Sequence, residues 1–533
     1  MLKEIGSSTE SHREKYEQHL KVCYKLFCRG KWLSNKGAIL IIFWSYFVTS
    51  VFYLMRSDST SENFVSLGGI ILVTSTLLYP IGGWLADTHF GRYKVIHYSM
   101  WIIWIGIVLA TFSNVMSNEF SAYSEINVWI FRALRVIMAI GLGGFQSNIV
   151  QFGVDQLTDA STIEITSFIM WYALTLYASG VTMYFVSECV VDKYNIFYIK
   201  LLYVAFCLTV ALCTDYLFHR WLIKEQFTQN SLSLIWKVIK YTIKNRNLRY
   251  DFTTEELPSQ FDIAKHRHGG PFTAQQVENV CTFLWLLVII AFSTLLCGAI
   301  TPIWFAKEKI ENHLHNWQQT RALTGCYEKL SVRYSDYMFP IILVLSYNFI
   351  IHPLFSKCLP KLGIISTLLL GTILSFVWTV SLLAIVTLAY YRNHHLNFSN
   401  NSVGCIFIGS DNDPEMHISY KWMLVPGLIN SLATFLLVLS ALKLFWSQTP
   451  SVMKGLIMGL FYAFLGMSSI LHVGIAYPFF YKNPIDVQWE HAPLTCGIWY
   501  FIMEGVIILA AIVVISFFAR SNKKRNEYTS LVS

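Results

Sequence analysis

The chain has 533 residues, of which 54% are hydrophobic, 16% aromatic and 14% charged, and its formal net charge is +8. A soluble globular protein carries about 25% charged residues, so this composition excludes an ordinary soluble enzyme or binding module and fits a polytopic membrane protein. The surplus cations fall in loops between apolar runs, which argues against a nucleic-acid partner.

Residues 1–36 are polar and charged, lack the apolar core of a cleavable signal peptide and read as a cytosolic N-tail. A bilayer core takes about 20 apolar residues per helix. Spans of that length are expected near 37–55, 64–85, 94–115, 127–150, 165–186 and 197–217. Residues 218–277 read as a cytosolic linker containing a basic amphipathic helix from Leu232 to Lys244, apolar at Leu232, Leu234, Ile235, Val238 and Ile239. It either lies on the membrane surface or simply connects. Six further spans are expected near 278–303, 338–355, 363–390, 421–447, 454–477 and 495–519, followed by a cytosolic C-tail, 520–533. The expected fold is therefore an all-α membrane protein with twelve transmembrane helices in two six-helix bundles, 37–217 and 278–519, each an inverted pair of three-helix repeats.

Lysines and arginines set the orientation. They crowd the N-tail, the 92–94 loop, the linker and the C-tail, which places both termini in the cytosol. The loop after the seventh span runs against this trend, with Lys307, Lys309, Arg321, Lys329 and Arg333. The loop after the ninth carries two glycosylation acceptors, Asn397 and Asn400, which suits a lumenal or external face. Cys326 and Cys405 fall in loops on that same face, where a disulfide between them is one reading and two unpaired thiols the other.

Four motifs carry more specific information. The loop Gly82-Gly83-Trp84-Leu85-Ala86-Asp87-Thr88-His89-Phe90-Gly91-Arg92-Tyr93 packs an acid, a glycine and an arginine between two apolar runs, preceded by Tyr79-Pro80. Small residues allow such a tight reversal, and charge so near the bilayer needs a partner. The fourth span ends in Gly141-Leu142-Gly143-Gly144-Phe145-Gln146 and runs into Phe152-Gly153-Val154-Asp155-Gln156. Asp155 either pairs with a base and locks a gate, or caps a solvated helix end. The linker ends in Asp262-Ile263-Ala264-Lys265 with Gly269-Gly270 and Val277, and Trp446-Ser447-Gln448-Thr449-Pro450-Ser451-Val452-Met453-Lys454 joins the tenth and eleventh spans.

Taken together and in this order, these motifs resemble the proton-coupled oligopeptide transporter family of the major facilitator superfamily. The last two look most like the animal peptide/histidine transporters of endolysosomal membranes. The resemblance implies a major-facilitator fold and alternating access. It implies gate residues at Asp87, Gly91, Arg92, Asp155, Gln156, Pro450 and Lys454, and a substrate cavity at Tyr79, Gln146, Trp304, Tyr347 and Asn348. Apolar packing competes as the reading of the aromatic members.

Several family signatures are missing. The first span, Asn35-Lys36-Gly37-Ala38-Ile39-Leu40-Ile41-Ile42, lacks the glutamates and arginine used in coupling. Gln146 stands where the family has a lysine, and Ser431-Leu432-Ala433-Thr434 has no acid in the tenth span. No glutamine follows Pro302-Ile303-Trp304, and Leu176-Tyr177-Ala178-Ser179-Gly180 departs from the fifth-span signature. Removing one buried ion strands its partner, whereas removing the set leaves a neutral interior that folds. Glu504, within the twelfth span, and His472, within the eleventh, are the remaining proton-coupling candidates, against structural pairing or a hydrogen-bonded core role. Arg132 and Arg135 attract an anion or anchor the fourth helix at the interface.

The expected function is secondary active transport of small peptides or amino acids such as histidine, with protons as the coupling ion. The rivals are an endolysosomal membrane scaffold impaired in transport and an uncoupled facilitator of another solute. Tyr528 and Leu531 have the spacing of an adaptor-read sorting signal, pointing to a cytosolic sorting partner and an endolysosomal rather than plasma membrane. No nucleophile–base set, metal spacing or phosphate loop is present, so neither enzyme activity nor a cofactor is expected.

Overall fold

A computed structural model describes residues 35–57, 76–119, 124–158, 160, 162–186, 198–224, 231–245, 260–291, 294, 314–315, 335–346, 364–396, 416–480 and 497–532. In chain order the first-half helices are α1 (Lys36–Ser57), α2 (Tyr79–Leu85), α3 (Arg92–Glu119), α4 (Ser124–Asp155), α5 (Thr162–Phe185) and α6 (Tyr198–Phe218). The linker contributes α7 (Ser231–Lys244). The second half comprises α8 (Ala274–Ala291), α9 (Ser335–Ser346), α10 (Ile364–Leu396), α11 (Leu424–Gln448), α12 (Lys454–Phe480) and α13 (Gly497–Val532).

Ten helices among the described residues are long and apolar enough to cross a membrane. They fall on ten of the twelve expected spans. At the two remaining positions, the second and eighth, the described residues form the shorter helices α2 and α9. One small departure from an all-helical chain is a parallel pairing of β1 (Leu314–His315) with β2 (Met416–Ser419), with an irregular register between its two paired positions.

Serine and threonine are spread through these apolar helices, whose surroundings offer a hydroxyl no water to bond. Ser45 donates to the Ile41 carbonyl, Thr111 to Ile107 and Ser375 to Gly371, one turn back in each case. That back-bonding satisfies each hydroxyl without a partner helix. Between α3 and α4, glycine lets backbones approach: a Cβ on Gly141 would lie 3.0 Å from the Ser99 carbonyl oxygen. One continuous buried cluster runs from Ile41 and Trp44 through Phe145 and Phe168 into Phe445 and Met458, so it crosses from the first half to the second.

The halves meet at two described places. At the end carrying Lys36, Arg92 and Lys94, here the basic end, α12 packs along α2 and α4. Further along the bundle α9 and α11 pack on α5 through Met170, Val344 and Phe435.

Candidate functional site: a charged latch between the halves and a buried acid–imidazole pair

The loop with the densest chemistry in the sequence folds as a latch. Pro80 lies in the first turn of α2, where its missing N–H costs nothing. After Leu85 the chain makes a wide five-residue π-type turn, Ala86–Phe90. Gly91 then reverses direction at φ 79°, a left-handed value that glycine adopts without strain, and α3 begins at Arg92.

This turn drives Asp87 inward until it is fully buried. Its carboxylate accepts the Leu456 backbone N–H at 3.0 Å, in the first turn of α12. The unsatisfied N–H groups and positive dipole end of that helix favour a carboxylate there. Arg92, also buried, lies between two acids: Asp87 at 3.4 Å and Asp155, with which it makes a direct ion pair. Burial lifts the Asp87 carboxyl to about 6, opposed by Arg92 and the Leu456 N–H. Asp155 is therefore the arginine-paired acid that the sequence left open.

Glycine at three positions makes the latch fit. A Cβ on Gly455 would lie 2.8 Å from the Asn148 Oδ1 and the Gly83 carbonyl oxygen and 3.0 Å from the Asp87 Oδ1. A Cβ on Gly83 would collide with the Gly455 carbonyl oxygen, and one on Gly459 would lie 2.6 Å from Pro80 Cα. Asn148 donates to the Gly144 carbonyl at 2.8 Å and to Gly82 at 3.3 Å, tying α4 to α2. Gln156, which follows α4, takes the Ile223 N–H at 2.8 Å and donates to the Ile223 carbonyl at 3.1 Å. The side chain of Asn35 also reaches its backbone carbonyl. Pro450 starts the short turn into α12 by accepting the Met453 N–H, and Lys454, half-buried, is the first residue of α12.

Beside the latch sits a neutral aromatic cluster. Tyr79 and Tyr462 meet edge to face with centroids 5.4 Å apart. The Tyr172 hydroxyl donates to the Gln146 Oε1 at 3.0 Å. Four helices, α2, α4, α5 and α12, converge here. Of the expected cavity set, Tyr79 and Gln146 are thus brought together, and both are buried. Trp304, Tyr347 and Asn348 lie outside the described residues. Tyr172 and Tyr462 were missed by the sequence reading, because an aromatic on an apolar helix carries no mark of which neighbour it will meet.

The two remaining ionisable candidates are partners. His472 of α12 and Glu504 of α13 are fully buried, and the His472 Nδ1 lies 3.0 Å from both Glu504 carboxylate oxygens. Buried Tyr500 lies one turn earlier on α13, on the same face as Glu504. The pair lies about 27 Å along α12 from the latch, at a rise of 1.5 Å per residue, toward the end opposite the basic one.

A second acid cluster went unseen in the sequence. Buried Asp215 of α6 accepts the Tyr93 hydroxyl at 3.1 Å and contacts the His97 Nδ1 at 2.5 Å. Lys224 lies 4.2 Å from the Tyr93 ring centroid. The signal was available as one acid near the end of an apolar span, but not its partners 118 and 122 residues away. Arg132 and Arg135 rest on the rings of Trp129 and Phe131, each 4.8 Å from the centroid, a cation–π arrangement that needs no bound anion. Asn397, Asn400, Cys326 and Cys405 lie outside the described residues. Tyr528 and Leu531 lie on α13, which continues as a helix to Val532, with their side chains outside the described set.

No family model matches the chain. Rat solute carrier family 15 member 3 is 19% identical over 524 residues, 86% of this chain and 85% of the rat protein. Human solute carrier family 15 member 5 is 20% identical over 258 residues, 46% of this chain and 44% of the human protein. Among solved structures, the POT family transporter PepTSo superposes with a TM-score of 0.63 at 15% identity, covering 92% of this chain and 99% of PepTSo. The fold is that of these transporters, with the halves joined at the basic end. The chain is thus similar along most of its length to solute carrier family 15 member 3, and in fold to POT family transporters.

Proposed function

We propose that the protein is a secondary transporter of small peptides or amino acids, histidine-like ones among them, working by alternating access between bundles 37–217 and 278–519. The basic end faces the cytosol in this reading, and residues 218–277 link the bundles there. The observation that carries it is the Asp87 contact with the N-terminus of α12. Within a wider apolar contact, it ties the two halves through a carboxylate on a helix N-terminus and glycines that bring α2 against α12, an attachment whose strength depends on ionisation and hydration.

Asp87, Gly91, Arg92, Asp155, Gln156, Pro450 and Lys454 form the cytosolic gate in this account. Tyr79 and Gln146, with Tyr172 and Tyr462, line the base of the solute path, to which Trp304, Tyr347 and Asn348 are also assigned. The described residues of this cluster are aromatic or amide, so they hold solute by hydrogen bonding and ring contact rather than by fixed charge. His472 and Glu504 supply the proton site. An imidazole facing a carboxylate offers a proton two neighbouring acceptors, and this pair lies toward the side opposite the cytosol. The favoured membrane is endolysosomal, with Tyr528 and Leu531 as the sorting signal and Asn397 and Asn400 as glycan acceptors on the lumenal side.

Reconstitution in liposomes tests the reading. Uptake of a dipeptide and of histidine is measured with and without an inward proton gradient. Uptake above empty liposomes supports transport, and stimulation by the gradient that disappears in Glu504→Gln supports the proton site. A folded protein that takes up neither solute favours a membrane scaffold. Gradient-independent uptake favours an uncoupled facilitator.

A further inference from the structure

Helix α7 has two faces of opposite character. Ile235 and Val238 are buried in the main core with Ala264 of the same linker and with Val277 and Val280 of α8, and Thr242 is buried one turn on from Val238. The other face is a stripe at helical spacing, Leu232, Trp236, Lys240 and Ile243. Trp236 is 68% exposed and Ile243 69%, and Lys237, Lys240 and Lys244 are exposed beside them. The fourteen residues of α7 contain no acid.

Exposed apolar side chains elsewhere in the protein lie mostly on the long membrane spans, where lipid covers them. Those of α7 lie between spans, at the basic end. Leaving them in water would cost roughly 25 cal/mol for each Å² of apolar surface, so this face has an occupant. Its chemistry selects that occupant. A Trp and two aliphatic residues in one stripe, edged by lysines only, form the pattern of a helix lying in a bilayer interface. The neighbouring chain agrees. Trp221, 46% exposed just after α6, carries the Lys36 ammonium 4.9 Å from its ring centroid. Exposed Arg220 and Lys224 flank it. Tryptophan with lysine or arginine marks the headgroup level of a membrane.

We infer that α7 is a membrane-seated strut: Leu232, Trp236 and Ile243 enter the upper acyl region of the leaflet at the basic end, while Lys237, Lys240 and Lys244 bind acidic phospholipid headgroups. The strut holds the linker between the two halves against the bilayer. It does not depend on what, if anything, is transported.

The test is hydrogen exchange of the 231–244 backbone in the whole protein, held in nanodiscs of phosphatidylcholine with or without phosphatidylserine. Exchange slows when phosphatidylserine is present, and the combined variant Lys237→Gln, Lys240→Gln and Lys244→Gln loses that slowing. The expected effect is about fivefold per lysine at low salt. These lysines are exposed, so the variant still folds, and unchanged exchange elsewhere in the chain verifies it. Trp236→Ser raises exchange in both lipid mixtures. Equal exchange in the two mixtures overturns the inference, as does slowing that appears in phosphatidylcholine only when a purified cytosolic protein is added.

Discussion

Asp87 sets the chemistry of the latch because it is a carboxylate placed where water is excluded. Its raised value, about 6 against the usual 3.8, reflects burial outweighing the help of Arg92 and the Leu456 N–H. The sign follows directly. For an acid raised in the folded state, ionisation above that value opposes folding, so stability from this group is gained as pH falls through about 6. The melting temperature in detergent therefore rises from pH 7.5 to 5.5 by more in the wild type than in Asp87→Asn; equal slopes would refute the burial argument. Gly455 is the steric counterpart. Gly455→Ala pushes a methyl group toward three oxygens and costs about 1–3 kcal/mol of stability, read as a lower melting temperature with the fold retained. Arg92→Ala leaves Asp87 and Asp155 facing each other unneutralised and costs about 3–5 kcal/mol, while Arg92→Ala combined with Asp87→Asn recovers part of that loss. At this scale the sequence was informative wherever a residue type is rare in its setting. An Asp, a Gly and an Arg between two spans could only be a special turn, and the pairing of Arg92 with Asp155 was one of two open readings. Tyr172 and Asp215 were not legible, because their meaning lies in partners 26 to 122 residues away.

At the level of elements, apolar run length fixed most of the architecture. Ten of twelve expected spans match membrane-length helices among the described residues, within a few residues at the ends. The boundaries slipped where a span continues past the bilayer. α4 runs on to Asp155 and α13 to Val532; the extension of α13 carries Arg, Lys and Glu, which are good helix formers, and neither extension contains a proline. The described end of the linker is tied to the second half by a charged clip. Lys265 reaches Asp262 at 2.8 Å and Glu278 at 3.3 Å, clipping the end of the linker to the start of α8. Burial alone would lower the lysine's value, and the two acids outweigh it and raise it, so the clip stays charged across the physiological range. Lys265→Ala removes the cation that Asp262 and Glu278 share and costs about 1–3 kcal/mol locally. Limited proteolysis should then cut within 218–277 faster, while the spans stay protected. A cutting rate unchanged from the wild type would show that α7 alone holds the linker.

For the whole molecule, the contrast visible in the sequence has a physical form. The latch motifs fold into a closed contact between halves, whereas the helices that carry fixed charge in the family's resemblance carry amides, tyrosines and serines here. Gln146 bonds Tyr172 instead of presenting an ammonium. Among the described residues the Tyr79–Tyr172 cluster holds no fixed charge, and His472 with Glu504 is a buried titratable pair in the second half. Asp87 on the N-terminus of α12 is an attachment between the halves whose strength depends on ionisation and hydration. The central claim is therefore that the α2–α12 latch opens and closes. Spin labels at His89→Cys and Gln448→Cys, both exposed at the basic end on opposite halves, report this by electron–electron distance measurement in nanodiscs, in a background with the native cysteines replaced. The account predicts two distance populations, the shorter dominant in the wild type and the longer enriched in Asp87→Ala. A single short distance in both proteins would contradict it.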